Sequence, residues 1–163
     1  MQGIPLNERK RLGALLDDRP QAEVMAMIPQ FSQAETDNFV APPAQIPEAL
    51  GVLMFNMERG VNLPEIQEFL RDCPDIQPFD VILANELDDG CFRSGNKNTA
   101  RELAQAFGLN YAWGLEFIEL VNDENAKGFH GNAVFSRWPI RRAGVIRLPE
   151  QYNWYFDRQK RIG

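Results

Sequence analysis

Apolar and polar positions along the chain fall into two regimes. Up to Leu50, Leu12, Leu15 and Leu16 recur at helical spacing, as do Ala22, Met25, Ala26 and Ile28. Pro42, Pro43 and Pro47 then interrupt any regular element, so residues 1–50 read as an N-terminal helical extension closed by a Pro-rich linker. From Gly51 short apolar runs alternate with helical patterns. Val52 to Phe55 and Val81 to Ala84 have the continuous apolar character of buried strands. Between them Asn62, Pro64 and Glu65 mark a helix start, Ile66, Phe69 and Leu70 its apolar face, and Pro74 its end. Ala100, Leu103, Ala104 and Phe107 share one face of a helix over Thr99 to Phe107, which Gly108 stops. Further strands are expected at Tyr111 to Glu119, Gly131 to Ser136 and Gly144 to Leu148, with a polar loop from Leu120 to Lys127. The succession predicts a layered α/β (α+β) domain over residues 51–163.

Composition narrows the function classes. The 163 residues, 44% hydrophobic and 25% charged, are ordinary for a soluble globular domain. No run of about 20 apolar residues is present, so no membrane span is expected. Met1 to Arg19 carries charges among its leucines instead of an apolar signal core, which predicts a cytoplasmic protein. Cys73 and Cys91 have neither metal-binding nor redox spacing and read as two reduced thiols, and the single histidine disfavours a His/Cys zinc site. A net charge of −6 argues against gripping duplex nucleic acid through phosphate neutralisation alone. It leaves phosphoester chemistry open, because a bound divalent cation supplies local positive charge. The late basic residues Arg137, Arg141, Arg142, Arg147, Arg158, Lys160 and Arg161 read as a solvated surface.

Two polar residues stand where strands end. Glu86 follows the apolar run Val81 to Ala84 and Asn85, so it emerges at the end of a buried strand, where α/β sheets commonly place ligands. A carboxylate there must be solvated, paired or bound to a cation, and Mg2+ is typically held by one or two carboxylates with waters and substrate oxygens. Taken singly, a glutamate capping a neighbouring helix accounts for it equally well. Asn56 repeats the geometry on the preceding strand, where its amide can meet a phosphate oxygen, orient a carboxylate or simply form a turn. If the two strands are parallel neighbours, both side chains lie together on one sheet edge.

Phe55-Asn56, Asn85-Glu86 and Gly131-Asn132-Ala133-Val134-Phe135-Ser136-Arg137-Trp138-Pro139-Ile140, in that order, resemble the first half of the endonuclease/exonuclease/phosphatase superfamily of metal-dependent phosphoesterases. The likeness runs from Gly51 to Gly163, with Asn85 standing where glutamine is frequent. It implies one half of a four-layer α/β/β/α sandwich. It further implies a phosphodiesterase or phosphatase site using Mg2+ or Mn2+, with Glu86 as metal ligand and Asn56 binding phosphate or supporting the metal. A water would attack phosphorus in line. Asn132 and His130 lie on a stretch that approaches substrate in such proteins, although His130 reads more simply as an exposed loop residue. Arg93 could reach a phosphate as a bidentate donor, or be held in an ion pair by Asp88 and Asp89. Tyr152, Trp154, Tyr155 and Phe156 read as cover for a core edge.

The family's later Gly-Asp-x-Asn and Ser-Asp-His segments are absent from these residues. The expectation is therefore a truncated domain, inactive alone, whose sheet lacks its facing sheet. Its substrate would be a phosphoester (nucleic acid, inositol phosphate or phospholipid headgroup), with no obligate protein partner evident. The competing expectation is a non-catalytic binding or assembly module on the same scaffold. No Gly-x-Gly-x-x-Gly or P-loop follows either early strand, which sets a nucleotide-binding domain aside.

Overall fold

A computed structural model of the chain describes residues 1–148, 155–156 and 159–163. Tyr152, Trp154 and Arg158 fall outside the described residues. The elements in chain order are α1 (Leu6–Leu15), α2 (Gln21–Met25), β1 (Ala34–Asp37), β2 (Val52–Arg59), α3 (Leu63–Asp72), β3 (Val81–Asp89), α4 (Thr99–Phe107), β4 (Asn110–Glu119), β5 (Phe129–Ser136), β6 (Tyr155–Phe156) and β7 (Gln159–Ile162). The protein is mixed α/β, built on a sheet in the order β2-β3-β5-β4. β2 and β3 are parallel; the β3–β5 and β5–β4 pairs are antiparallel. The far edge of β4 is covered by β1 along Tyr111 to Gly114 and by β7 at Ile118 and Glu119.

Local sequence explains the helices. Asn98 caps α4 by accepting a hydrogen bond from the Arg101 N–H, and Gly108 ends it in the left-handed region at φ 59°. In α3, Pro64 occupies the first turn, where its missing N–H costs nothing. The first 50 residues, read from sequence as helical, also contain β1. Its sequence Ala-Glu-Thr-Asp has no strand pattern of its own; pairing with the open edge of β4 orders it.

Register divides the sheet into two unlike faces. Leu53, Ile82, Phe135 and Tyr111 are successive cross-strand partners, and Ile82, Phe135 and Tyr111 are fully buried. Leu63, Leu70, Ala100, Leu103 and Ala104 belong to the same core as this row, with Leu12 and Val24 from the first 50 residues. Each large apolar side chain so buried contributes about 1.5–3 kcal/mol. One residue over, Met54, Leu83, Val134 and Ala112 form the opposite row. There Met54 is 73% exposed, Val52 55% and Val134 42%. A cavity of about 1250 Å3 lies over this open face, lined by Val81, Ala112 and Val134 and by Ile146 and Arg147 from the segment after β5. That segment, expected as a strand over Gly144 to Leu148, is irregular, and Ile146 and Leu148 are 89% and 83% exposed.

Four residues of the Gly131 to Ile140 motif have plain structural work. Arg137 Nη1 binds Asp80 Oδ1 at 2.8 Å, and its N–H donates to the Asp80 carbonyl, tying the end of β5 to the start of β3. The Gly51 N–H and then the Arg137 guanidinium hold the Asp80 carboxyl below its ordinary range against the opposing effect of burial. Ser136 Oγ accepts from the Trp138 N–H, and the Ile140 backbone exchanges two hydrogen bonds with the Asn38 amide. Gly131 is required by packing: a Cβ there would stand 2.1 Å from the Gly114 carbonyl oxygen and 2.8 Å from the Trp113 ring. Gly131→Ala is therefore expected to cost at least about 2 kcal/mol, since neither backbone nor a buried indole can give way. Thermal denaturation should show a fall of about 4–8 °C; an unchanged midpoint would mean that β4 and β5 lie further apart.

Candidate functional site

Pairing is regular through the middle of the sheet and breaks at one end. Register shifts fall between Asn56 and Arg59 on β2, between Ala84 and Leu87 on β3, and between Leu115 and Phe117 on β4. β-Bulges re-aim side chains and end pairing next to functional sites. Here they bring Asn56, Glu86, Glu116 and Asn132 to one exposed edge. Glu86 itself has φ 58°, an unusual conformation for a residue other than glycine, and an observed backbone outlier of this kind motivates a functional reading.

The four residues form a chain of hydrogen bonds. Asn56 Nδ2 donates to Glu86 Oε1 at 2.8 Å, while its Oδ1 accepts from the Glu58 N–H at 2.8 Å. The Glu86 N–H donates to Asn132 Oδ1 at 3.2 Å, and Asn132 Nδ2 donates to Glu116 Oε2 at 3.2 Å. Each amide thus fixes a carboxylate by one oxygen and leaves the other without a hydrogen-bond partner among the described residues. Hard oxygen donors with room for water are what Mg2+ or Mn2+ prefers, and one or two carboxylates suffice for Mg2+. Among the described residues no group of three or more His, Cys, Asp or Glu side chains is arranged to hold a metal. The donors fit an open, partly hydrated cation site rather than an all-protein cage.

The structure brings Asn56, Glu86 and Asn132 together and places Arg93 and His130 elsewhere. Arg93 is held by Asp88 through Nε at 2.7 Å and Nη2 at 2.8 Å, and by Glu119 through Nη1 at 2.5 Å. It is the ion pair anticipated with Asp88, but largely buried, and Asp89 pairs with Lys127 instead. His130, read from sequence as an exposed loop residue, is buried on β5 with Nδ1 2.7 Å from Asp88 Oδ1. Gly128 and Gly131 give the stretch a loop-like sequence, yet Gly131 is small so that β4 can approach. Asp88 receives opposing influences. Burial raises its pKa, but hydrogen bonds from His130 and Arg93 outweigh it and leave the carboxyl below the ordinary range. Cys91, buried beside this cluster, has its thiol pushed well up, chiefly by burial, and both cysteines are free.

Glu116 escaped the sequence reading. Its signal was a break in alternation: Tyr111, Trp113 and Leu115 are buried, Glu116 is exposed, and the adjacent Phe117 then takes the face opposite to Leu115. Set against family models, curated proteins and solved structures, the chain matches none of them.

Proposed function

We propose that this edge is the metal-binding half of a phosphoester-hydrolysing site, with Glu86 as ligand to Mg2+ or Mn2+. The observation that carries the reading is the convergence of Asn56, Glu86 and Asn132, one from each of three separate motifs, at a bulged strand end. The resemblance to the endonuclease/exonuclease/phosphatase superfamily assigns the same residues to such a site. The cation supplies positive charge to phosphoryl oxygens and acidifies a bound water. Asn56 holds the Glu86 carboxylate in place through Nδ2, and Asn132 braces the Glu86 backbone while its amide faces the substrate side. Glu116, fixed by Asn132, keeps the edge electronegative and attracts the cation. The substrate is a phosphodiester or phosphomonoester. The exposed apolar face carrying Met54, Val52 and Val134 is where the second sheet of a four-layer sandwich would lie. No helix among the described residues is long and apolar enough to cross a membrane. Free Cys73 and Cys91 agree with a cytoplasmic location.

Hydrolysis of bis(4-nitrophenyl) phosphate and 4-nitrophenyl phosphate tests the reading. Any turnover should require Mg2+ or Mn2+, stop with a chelator, and fall by about 100-fold or more in Glu86→Gln, beyond what loss of an orienting group costs. Asn56→Ala should lose about 10–100-fold, as removal of a group that orients a ligand does. Metal-dependent turnover that survives Glu86→Gln would overturn the assignment.

The open apolar face also favours a second reading, a non-catalytic assembly module. Patches of this kind on a soluble domain mark surfaces that become covered. That reading expects saturable association of a partner with the Met54 face and no response to divalent metal.

A further inference from the structure

Unusual backbone gathers on one turn beside the candidate site. β2 carries one residue more than β3 over the stretch in which Asn56 pairs with Asn85 and Arg59 with Leu87. Glu58, Arg59 and Gly60 follow one another in the left-handed region, at φ 46°, 66° and 70°, a region that glutamate and arginine seldom adopt. The turn is tied down on two sides. The Glu58 N–H donates to Asn56 Oδ1, and the same Asn56 amide donates from Nδ2 to Glu86 Oε1. Gly60 packs on α4: a Cβ there would stand 2.6 Å from Thr99 Cγ2, and Thr99 Oγ1 donates to the Asp88 carbonyl. Arg59 sits between these two anchors. Its Cα partner is Leu87, the residue after Glu86, across one strand spacing of about 4.8 Å.

Arg59 is exposed, and its guanidinium has no hydrogen bond, ion pair or ring contact among the described residues. Arg93, by contrast, is held by Asp88 and Glu119. A long cationic side chain this close to Glu86 that forms no ion pair with it is available to a third group. Charge says what kind of group. Glu86 and Glu116 together cancel the two charges of a divalent cation, so these carboxylates with their metal offer a phosphoryl group no net attraction. Glu58, exposed on the same turn, adds a further negative charge. A guanidinium restores the balance and presents two parallel N–H donors that match two phosphoryl oxygens.

We infer that Arg59 is a substrate-contacting residue, its guanidinium taking two non-bridging oxygens of a phosphoryl group bound at the Asn56–Glu86 edge. This rests on the phosphoester reading of that edge. Asn56 is the common brace, since one amide fixes both the Glu86 carboxylate and the turn that carries Arg59. Metal affinity and phosphate affinity are thereby assigned to different residues, Glu86 and Arg59.

Two titrations by calorimetry on the full chain test this, first with Mg2+ alone and then with inorganic phosphate on the Mg2+-saturated protein. Arg59→Ala should bind Mg2+ at least as tightly as wild type, because a neighbouring positive charge is gone. Its phosphate affinity should fall by about 10-fold or more. Arg59→Lys, which keeps the charge without the fork, should fall between the two. Equal phosphate binding by wild type and Arg59→Ala overturns the proposal and leaves the metal site standing, as does a wild type that binds Mg2+ but no phosphate. Loss of Mg2+ binding in Arg59→Ala overturns it by showing that the turn supports Glu86 instead. A wild type that does not bind Mg2+ removes the site reading and the proposal with it.

Discussion

Asp88→Asn is expected to lower the stability of the protein by about 3–5 kcal/mol, the scale for removing one partner of a buried ion pair. Asp88 is fully buried and holds Arg93, His130 and Ser94 at once. Its loss leaves the Arg93 guanidinium to Glu119 and the Cys91 sulfur and forces the His130 ring to find another acceptor. The effect has a pH signature. The folded-state pKa of Asp88 is depressed below the ordinary aspartate value, about 3.9 in an unfolded chain. The stabilisation is therefore fully present above about pH 4 and is lost as pH falls through the lower folded-state value. Urea unfolding at pH 7 should separate wild type and variant widely, and the two curves should approach each other as pH drops below about 4. Curves that stay parallel down to pH 3 would mean that Asp88 does not carry the ionic network.

Arg9→Met is expected to cost about 3 kcal/mol, even though the substitution keeps an apolar stem of similar length. Arg9 lies on α1 and is 1% exposed. Its Nη1 donates to the carbonyls of Glu119 at 3.1 Å and Asn122 at 3.3 Å, and its Nη2 to that of Asn125 at 2.7 Å. It thus satisfies the backbone of the turn between β4 and β5, and removal strands buried acceptors at about 1–3 kcal/mol each before relaxation. The melting temperature should fall by about 6–12 °C. Arg11→Met, two residues on and paired with Glu8 at the surface, should change stability by no more than about 0.5 kcal/mol. Equal effects of the two substitutions would mean that residues 1–50 are not braced against the sheet through Arg9.

How much of this was legible in the chain depends on where each element draws its stability. α4 was readable to its ends because Ala100, Leu103, Ala104 and Phe107 set the helical face and Gly108 takes a positive φ. The strands β2 and β3 were readable only while they remained apolar. The second half of β3, Glu86 to Asp89, is acidic and looks like loop, but the partners of Asp88 and Asp89, namely Arg93, His130 and Lys127, come from other parts of the chain. β1 was invisible for the same reason, since the edge of β4 makes it a strand. At the candidate site, Asn56 and Glu86 were picked out because each ends an apolar run. Asn132 came from the motif around Gly131. Glu116 was missed because β4 was read for its apolar positions: alternation with Tyr111, Trp113 and Leu115 already puts Glu116 off the buried row, and the bulge that follows re-aims Phe117. His130 and Arg93 were recognised as chemical groups, but their burial follows from long-range pairing that spacing does not encode.

Direct binding of Mn2+ to the wild type and to Glu86→Gln, by titration calorimetry on the same preparation, tests the assignment of Glu86 most directly. The wild type should bind one equivalent with an affinity at least about 10-fold above that of the variant, whose melting temperature should be unchanged. Equal binding by the two proteins, or no binding by the wild type, would contradict a metal site at Asn56 and Glu86.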